Sequence, residues 1–207
     1  QLAALQRLAS GTLSLGAHTM YFSPIGRNFS AKLTKNGPEV YSFDGSQLGD
    51  RPLVAHGMAW QITGYAWRNV YLGAESTWAF GKNQSYSFSS NGYDVSPSGF
   101  IDTFQFAGGL LVGARVPLGK LSVRAEMLIG GRVISLSQYA VKDGEAKKAS
   151  ASAGAWALEP RLVLDLWASP WFSLSAFGGT DILDRRSHSF GLMLVGHLRA
   201  YDGAFTL

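Results

Sequence analysis

The chain has 207 residues, of which only 15% are charged, and it carries a net charge of +4 and no cysteine. That charge content lies well below the quarter or so usual in a soluble domain. The missing cysteines exclude a disulfide framework and a thiolate metal site, and the scattered basic residues do not form the stripe of a nucleic-acid binder.

The first residues, LAALQRLA at 2–9, have the spacing of two helical turns but read more simply as a short ordered segment before the first strand. From Thr12 to Phe22 the sequence alternates, with Leu13, Leu15, Ala17 and Tyr21 on one face. Such period-two patterning predicts a strand with one apolar and one polar side. LVAHGMAWQITG follows, with Met58, Trp60 and Ile62 opposite Ala55, Ala59, Gln61 and Thr63. A third segment sets Val70, Leu72, Ala74, Trp78 and Phe80 against Gly73, Glu75 and Thr77. A fourth sets Phe104, Phe106, Leu110, Val112 and Val116 against Gln105, Gly109, Gly113 and Arg115.

In KLSVRAEMLIGGRVIS, Leu121, Val123, Ala125, Met127 and Ile129 oppose Ser122, Arg124, Glu126 and Arg132. The sixth segment sets Trp156, Leu158, Leu162, Leu164 and Leu166 against Glu159, Arg161 and Asp165. FSLSAFGGTD is the seventh. The eighth opposes Phe190, Leu192, Leu194 and Leu198 to His197 and Arg199. No apolar run is long enough for a membrane-spanning helix.

The connections alternate in length. Short ones fall near 65–69, 117–120 and 168–171, whereas 24–50, 81–98 and 138–150 are long and polar; the last, near 184–187, is short. An even number of strands joined this way is the pattern of an up-and-down outer-membrane barrel. The face question has one economical answer. The charges sit almost wholly on the polar face, and the chain has only 14 acidic residues with which to solubilise an exterior. A soluble barrel with its apolar side inward needs a charged outside. The apolar face therefore points outward, to lipid. Leu164 is read as lipid-facing, and Val163 as facing a polar interior that tolerates substitution.

Aromatic residues gather near both ends of the strands. Tyr65, Trp67, Tyr71, Trp167 and Trp171 lie near the short turns, and Trp78, Phe80 and Trp156 near the long loops. They are read as two interfacial girdles. The inward charges Glu75, Arg115, Arg124, Glu126, Arg132, Glu159, Arg161, Asp165 and Arg199 are read as an interlocked plug. An eight-stranded lumen is just wide enough for side chains to fill, and an unpaired buried charge is costly.

The segments YLGAESTWAF, LLVGARVPLG and LSVRAEMLIGG resemble the strands and turns of small eight-stranded outer-membrane barrels, the class of the OmpA membrane domain, OmpX and OmpW. The resemblance spans about residues 11–201 and implies an all-β, eight-stranded antiparallel transmembrane barrel in the bacterial outer membrane. Residues 1–10 then form a periplasmic segment and 202–207 a tail, all within one domain of 1–207. Such barrels usually finish on Phe or Trp, whereas AYDGAFTL places Phe205 before the end, so either a tail follows the last strand or its register differs.

No catalytic, cofactor or metal site is expected. In SHS (187–189), adjacent strand residues point to opposite faces, so His188 and Ser189 do not form a nucleophile–base pair. GARVPLGK lacks the spacing and the Ser or Thr of a phosphate loop and reads as a turn. Basic residues in the outer connections, Arg185 and Arg186 among them, read as solvated charge or as contacts to lipopolysaccharide phosphates. The expected role is a non-enzymatic structural or accessory envelope component, alone or as a subunit of a larger assembly. Its partners are outer-membrane lipid, lipopolysaccharide and other envelope proteins, not nucleic acid. A narrow pore and an outer-leaflet lipid-modifying enzyme are the alternatives.

Overall fold

The structure, a computed structural model, describes residues 9–23, 28–33, 39–44, 52–67, 69–84, 88–90, 93–95, 100–142, 145–201 and 204–206. Eight long strands form the wall: β1 (Ala9–Phe22), β4 (Leu53–Trp67), β5 (Val70–Gln84), β8 (Phe100–Leu118), β9 (Leu121–Lys142), β10 (Glu145–Trp167), β11 (Phe172–Thr180) and β12 (His188–Tyr201). Each is antiparallel to its neighbours, and pairing of β1 with β12 closes the barrel. Closure removes the exposed strand edges that a bilayer cannot satisfy.

The turns follow local chemistry. Leu118 pairs with Leu121, so Gly119 and Lys120 alone join β8 to β9, and Gly119 takes φ 75°. A two-residue hairpin needs a positive φ at its first central residue, where glycine has no Cβ to clash. Between β10 and β11, Ser169 Oγ accepts from the backbone N–H groups of Trp171 and Phe172 at 3.2 and 3.1 Å. The wall is drawn tight where glycines face each other across it. A Cβ on Gly130 would meet the Gly108 carbonyl oxygen at 2.1 Å, so no larger residue fits that close approach.

The long connections differ from the sequence reading. Residues 138–150, read as a loop, mostly continue the β9–β10 hairpin, with Glu145 opposite Lys142. Within 24–50, β2 (Asn28–Leu33) and β3 (Glu39–Asp44) form a hairpin, and β2 pairs with Ala149–Ser152 of β10 above the end of β11. β6 (Phe88–Ser90) and β7 (Tyr93–Val95) form another within 81–98. Unpaired edges of β9 and β10 beyond the membrane explain this, because they offer backbone groups to any adjacent extended chain. At the other end, β12 stops at Tyr201, and β13 (Ala204–Thr206) folds back onto it. Residues 1–8 lie outside the described set.

The two faces exchange polarity along the wall. In its middle, Leu13, Leu15, Ile62, Leu110, Leu162 and Leu164 are exposed outside, while the charged side chains are buried inside. Above the level of Phe80, Phe104 and Trp156, the outward residues are His56, Lys82, Asp102, Ser150 and Ser152. There the inward ones are Phe22, Met20, Leu53, Ile101, Ile134 and Leu136, all buried. Each face takes the polarity of its surroundings, and the surroundings change from lipid to water. On β10 the apolar outward run goes from Trp156 to Leu166. At about 3.4 Å per residue and a tilt near 40° this projects to roughly 25 Å, the height of an outer-membrane apolar band.

Candidate functional site: the filled lumen

The inward-facing charges meet in two nodes. Near the short turns, Arg124 Nε donates to both Asp165 oxygens at 3.1 and 3.0 Å, and its Nη1 engages Glu126 Oε1. Tyr71 Oη donates to the same Glu126 oxygen at 2.6 Å. Asp165 also accepts from Ser122 Oγ at 2.8 Å and Ser175 Oγ at 2.5 Å. Trp167 Nε1 donates to Ser122 Oγ at 3.0 Å, and its ring stacks on His197 at 3.8 Å. Arg115 lies over the rings of Tyr65 at 4.8 Å and Trp167 at 5.3 Å. Its charge thus faces two aromatic rings, a favourable cation–π arrangement when desolvated.

The second node lies nearer the loops. Arg161 bridges Glu75 Oε2 at 2.5 Å and Glu159 Oε1 at 2.7 Å. Arg132 bridges Glu159 Oε2 at 2.9 Å and Asp181 Oδ2 at 3.1 Å. Gln61 Nε2 donates to Glu75 at 2.6 Å, and Ser189 Oγ donates to Glu159. Beside and between the nodes sits an apolar cluster of Ala59, Val163, Phe177, Met193 and Val195. In the half nearest the loops, the buried apolar residues described above fill the interior. Charged and apolar groups alternate along the axis, and the charged groups are interlocked.

The placements can be set against the sequence. Glu75, Arg115, Arg124, Glu126, Arg132, Glu159, Arg161 and Asp165 are all buried inside. The side chain of Arg199 lies outside the described residues; its backbone, in β12, pairs with Ala9 of β1. Trp67, Trp78, Phe80, Trp156 and Trp171 are exposed on the outer surface. Tyr71 and Trp167, read as girdle residues, are instead buried inside, and Tyr65 packs against Tyr71. Strand parity carries the reason. Tyr71 shares its face with Glu75, Trp167 with Asp165 and Tyr65 with Thr63, so nearness to a turn does not put them in the headgroups. Val163 is also corrected: it faces inward, but into the apolar cluster. Asp181 joins the network unannounced, although its parity with Phe177 and Ser175 was a usable signal. His188 and Ser189 diverge: His188 Nδ1 meets Thr180 Oγ1 at 3.0 Å, while Ser189 reaches Glu159.

A closed antiparallel barrel with an apolar exterior, an aromatic level at each end and ion pairs inside is a transmembrane β-barrel, the architecture of bacterial outer membranes. No protein-family model matches the chain. No curated protein matches it. Among solved structures it is similar to Ail, the attachment invasion locus protein of Yersinia pestis, in complex with the heparin analogue sucrose octasulfate. That likeness has 12% identity and a TM-score of 0.46, covering 91% of this chain and 97% of that one. Neisserial surface protein A is similar at 9% identity and a TM-score of 0.40, covering 91% and 97%. The outer membrane protein OprG from Pseudomonas aeruginosa is similar at 9% identity and 0.44, covering 93% and 96%. Likenesses at these identities extend no further than fold.

Proposed function

We propose that this barrel is a closed, non-enzymatic component of the outer membrane that acts through its surface. It serves as a structural or accessory member of the envelope, with outer-leaflet lipid, lipopolysaccharide and neighbouring envelope proteins as its partners. One observation carries the reading: the lumen is occupied by ion pairs within and between strands, with Arg124, Arg132 and Arg161 each holding two carboxylates, as Arg124 holds Glu126 and Asp165. Such a packing leaves the charges matched to one another instead of to a passing ion. The extra hairpins β2–β3 and β6–β7 enlarge the surface offered outside the membrane. In SHS the hydroxyl and the imidazole engage separate partners on opposite faces of the wall, and the hydrogen-bonded Ser173 and His197, 2.9 Å apart, lie buried in the lumen.

Planar-bilayer recording of the pure protein tests this. The expected record has no steady conductance. A stable ohmic channel, enlarged by Glu126→Ala, overturns the closed lumen in favour of a narrow pore.

A further inference from the structure

The outer rim is uneven. β9 and β10 rise far beyond the aromatic level, whereas β11 ends at Thr180 and turns through residues 181–187 into β12. That turn lies close to the level of Trp156, because Ile182 N donates to the Leu158 carbonyl at 2.8 Å. Its exposed side chains are Ile182, Leu183, Arg185 and Arg186, so apolar and cationic groups share one short connection. Arg185 and Arg186, with Tyr21, Ser23, Pro52 and His188, line an open notch of about 510 Å³. Tyr21 and His188 are direct partners across β1 and β12, and the Tyr21 ring packs edge-on against Phe190 at 6.2 Å. Phe190, Leu192 and Leu194 continue down the lipid-facing side of β12, all about half exposed.

We propose that this notch holds the phosphate of an outer-leaflet phosphoglycolipid, with its acyl chains lying along Phe190, Leu192 and Leu194. Arg185 and Arg186, consecutive in the turn and both lining the notch, carry forked donors that match phosphate oxygens. Tyr21 adds an amphipathic ring where headgroup meets hydrocarbon. His188 is held through Nδ1 by Thr180 Oγ1 at 3.0 Å, and in the tautomer in which Thr180 donates, its Nε2–H is a further donor. Among the described residues, two carboxylates flank the turn. Asp181 turns inward to Arg132 at 3.1 Å, and Asp184 accepts from Ser187 Oγ at 2.6 Å and from Arg186 N at 3.4 Å, shaping the turn. The apolar surface running down from the notch selects a lipid phosphate over a free one. The inference deepens the proposed lipid partnership and is independent of the closed lumen: a conducting barrel would leave it standing.

The full chain, refolded into phosphatidylcholine nanodiscs, is to be exposed to bisphosphorylated lipid A, to the same lipid stripped of its phosphates, and to inorganic phosphate. Native mass spectrometry reads the lipid retained. The phosphorylated lipid should be retained about tenfold better than the stripped one. Arg185→Gln with Arg186→Gln should abolish the difference, while Lys82→Gln should preserve it. A heat-dependent gel shift reports folding; should the double variant misfold, the wild-type preference between the two lipids decides. Equal retention of both lipids overturns the proposal, as does displacement of the lipid by an equal concentration of inorganic phosphate.

Discussion

Arg161→Met probes the network at its most connected point. The side chains of Arg161, Glu75 and Glu159 are at most 2% exposed, so solvent cannot take over a lost partner. After the substitution Glu159 still has Arg132 at 2.9 Å and the Ser189 hydroxyl. Among the described residues Glu75 keeps only the Gln61 amide at 2.6 Å. The cost therefore falls on Glu75, and breaking one side of a buried pair costs about 3–5 kcal/mol. Methionine is close to arginine in length and retains the contact over Phe177, where the guanidinium carbon lies 5.0 Å from the ring centroid. Adding Glu75→Gln removes the stranded charge. The double variant should then recover to within about 1–2 kcal/mol of the parent, since a buried pair replaced as a unit is often nearly neutral. Reversible urea unfolding in lipid vesicles, followed by tryptophan fluorescence, measures both. A single variant within about 1 kcal/mol of the parent, the range of solvent-exposed pairs, would refute the desolvated network. So would a double variant no more stable than the single one.

The same unfolding assay separates the two faces of β10. Leu164→Arg should cost about 2–4 kcal/mol near the bilayer midplane, and Val163→Asn about 1–3 kcal/mol, because its amide would lie unsatisfied against Phe177 and Met193; a free substitution at either site contradicts the packing described. Neighbouring glycines give a second contrast. Gly130→Ala should destabilise by roughly 1–3 kcal/mol through overpacking, since its Cβ would meet the Gly108 oxygen at 2.1 Å. Gly131→Ala, whose Cβ comes no nearer than 4.0 Å to Ala155 O, should be neutral or stabilising by about 0.4–1 kcal/mol through the unfolded chain. Equal costs at the two positions would remove the close-approach argument.

Much of the wall was legible because alternation is a local property. Leu162, Leu164 and Leu166 against Glu159, Arg161 and Asp165 state which side chains share a face, and any antiparallel strand must keep that division. The scarcity of acids then settled which face meets lipid. Where the reading failed, a weaker cue had displaced parity. Tyr71 and Trp167 were placed by their distance from a turn, although the residues two places away already pointed inward. Residues 138–150 were read as a loop from their charge and glycine, although extended segments outside a membrane are polar on their outward face as well.

Local pattern thus determined the eight wall strands, their facing and the closed eight-stranded architecture, because each follows from the chemistry of neighbouring residues and the solvent they must meet. It did not determine which arginine holds which carboxylate, that Asp181 completes the set, or that Arg185, Arg186 and His188 gather beside Tyr21. Those depend on stagger between strands far apart in the chain, as with Arg161 and Glu75. Only the closed barrel brings such residues within hydrogen-bonding distance.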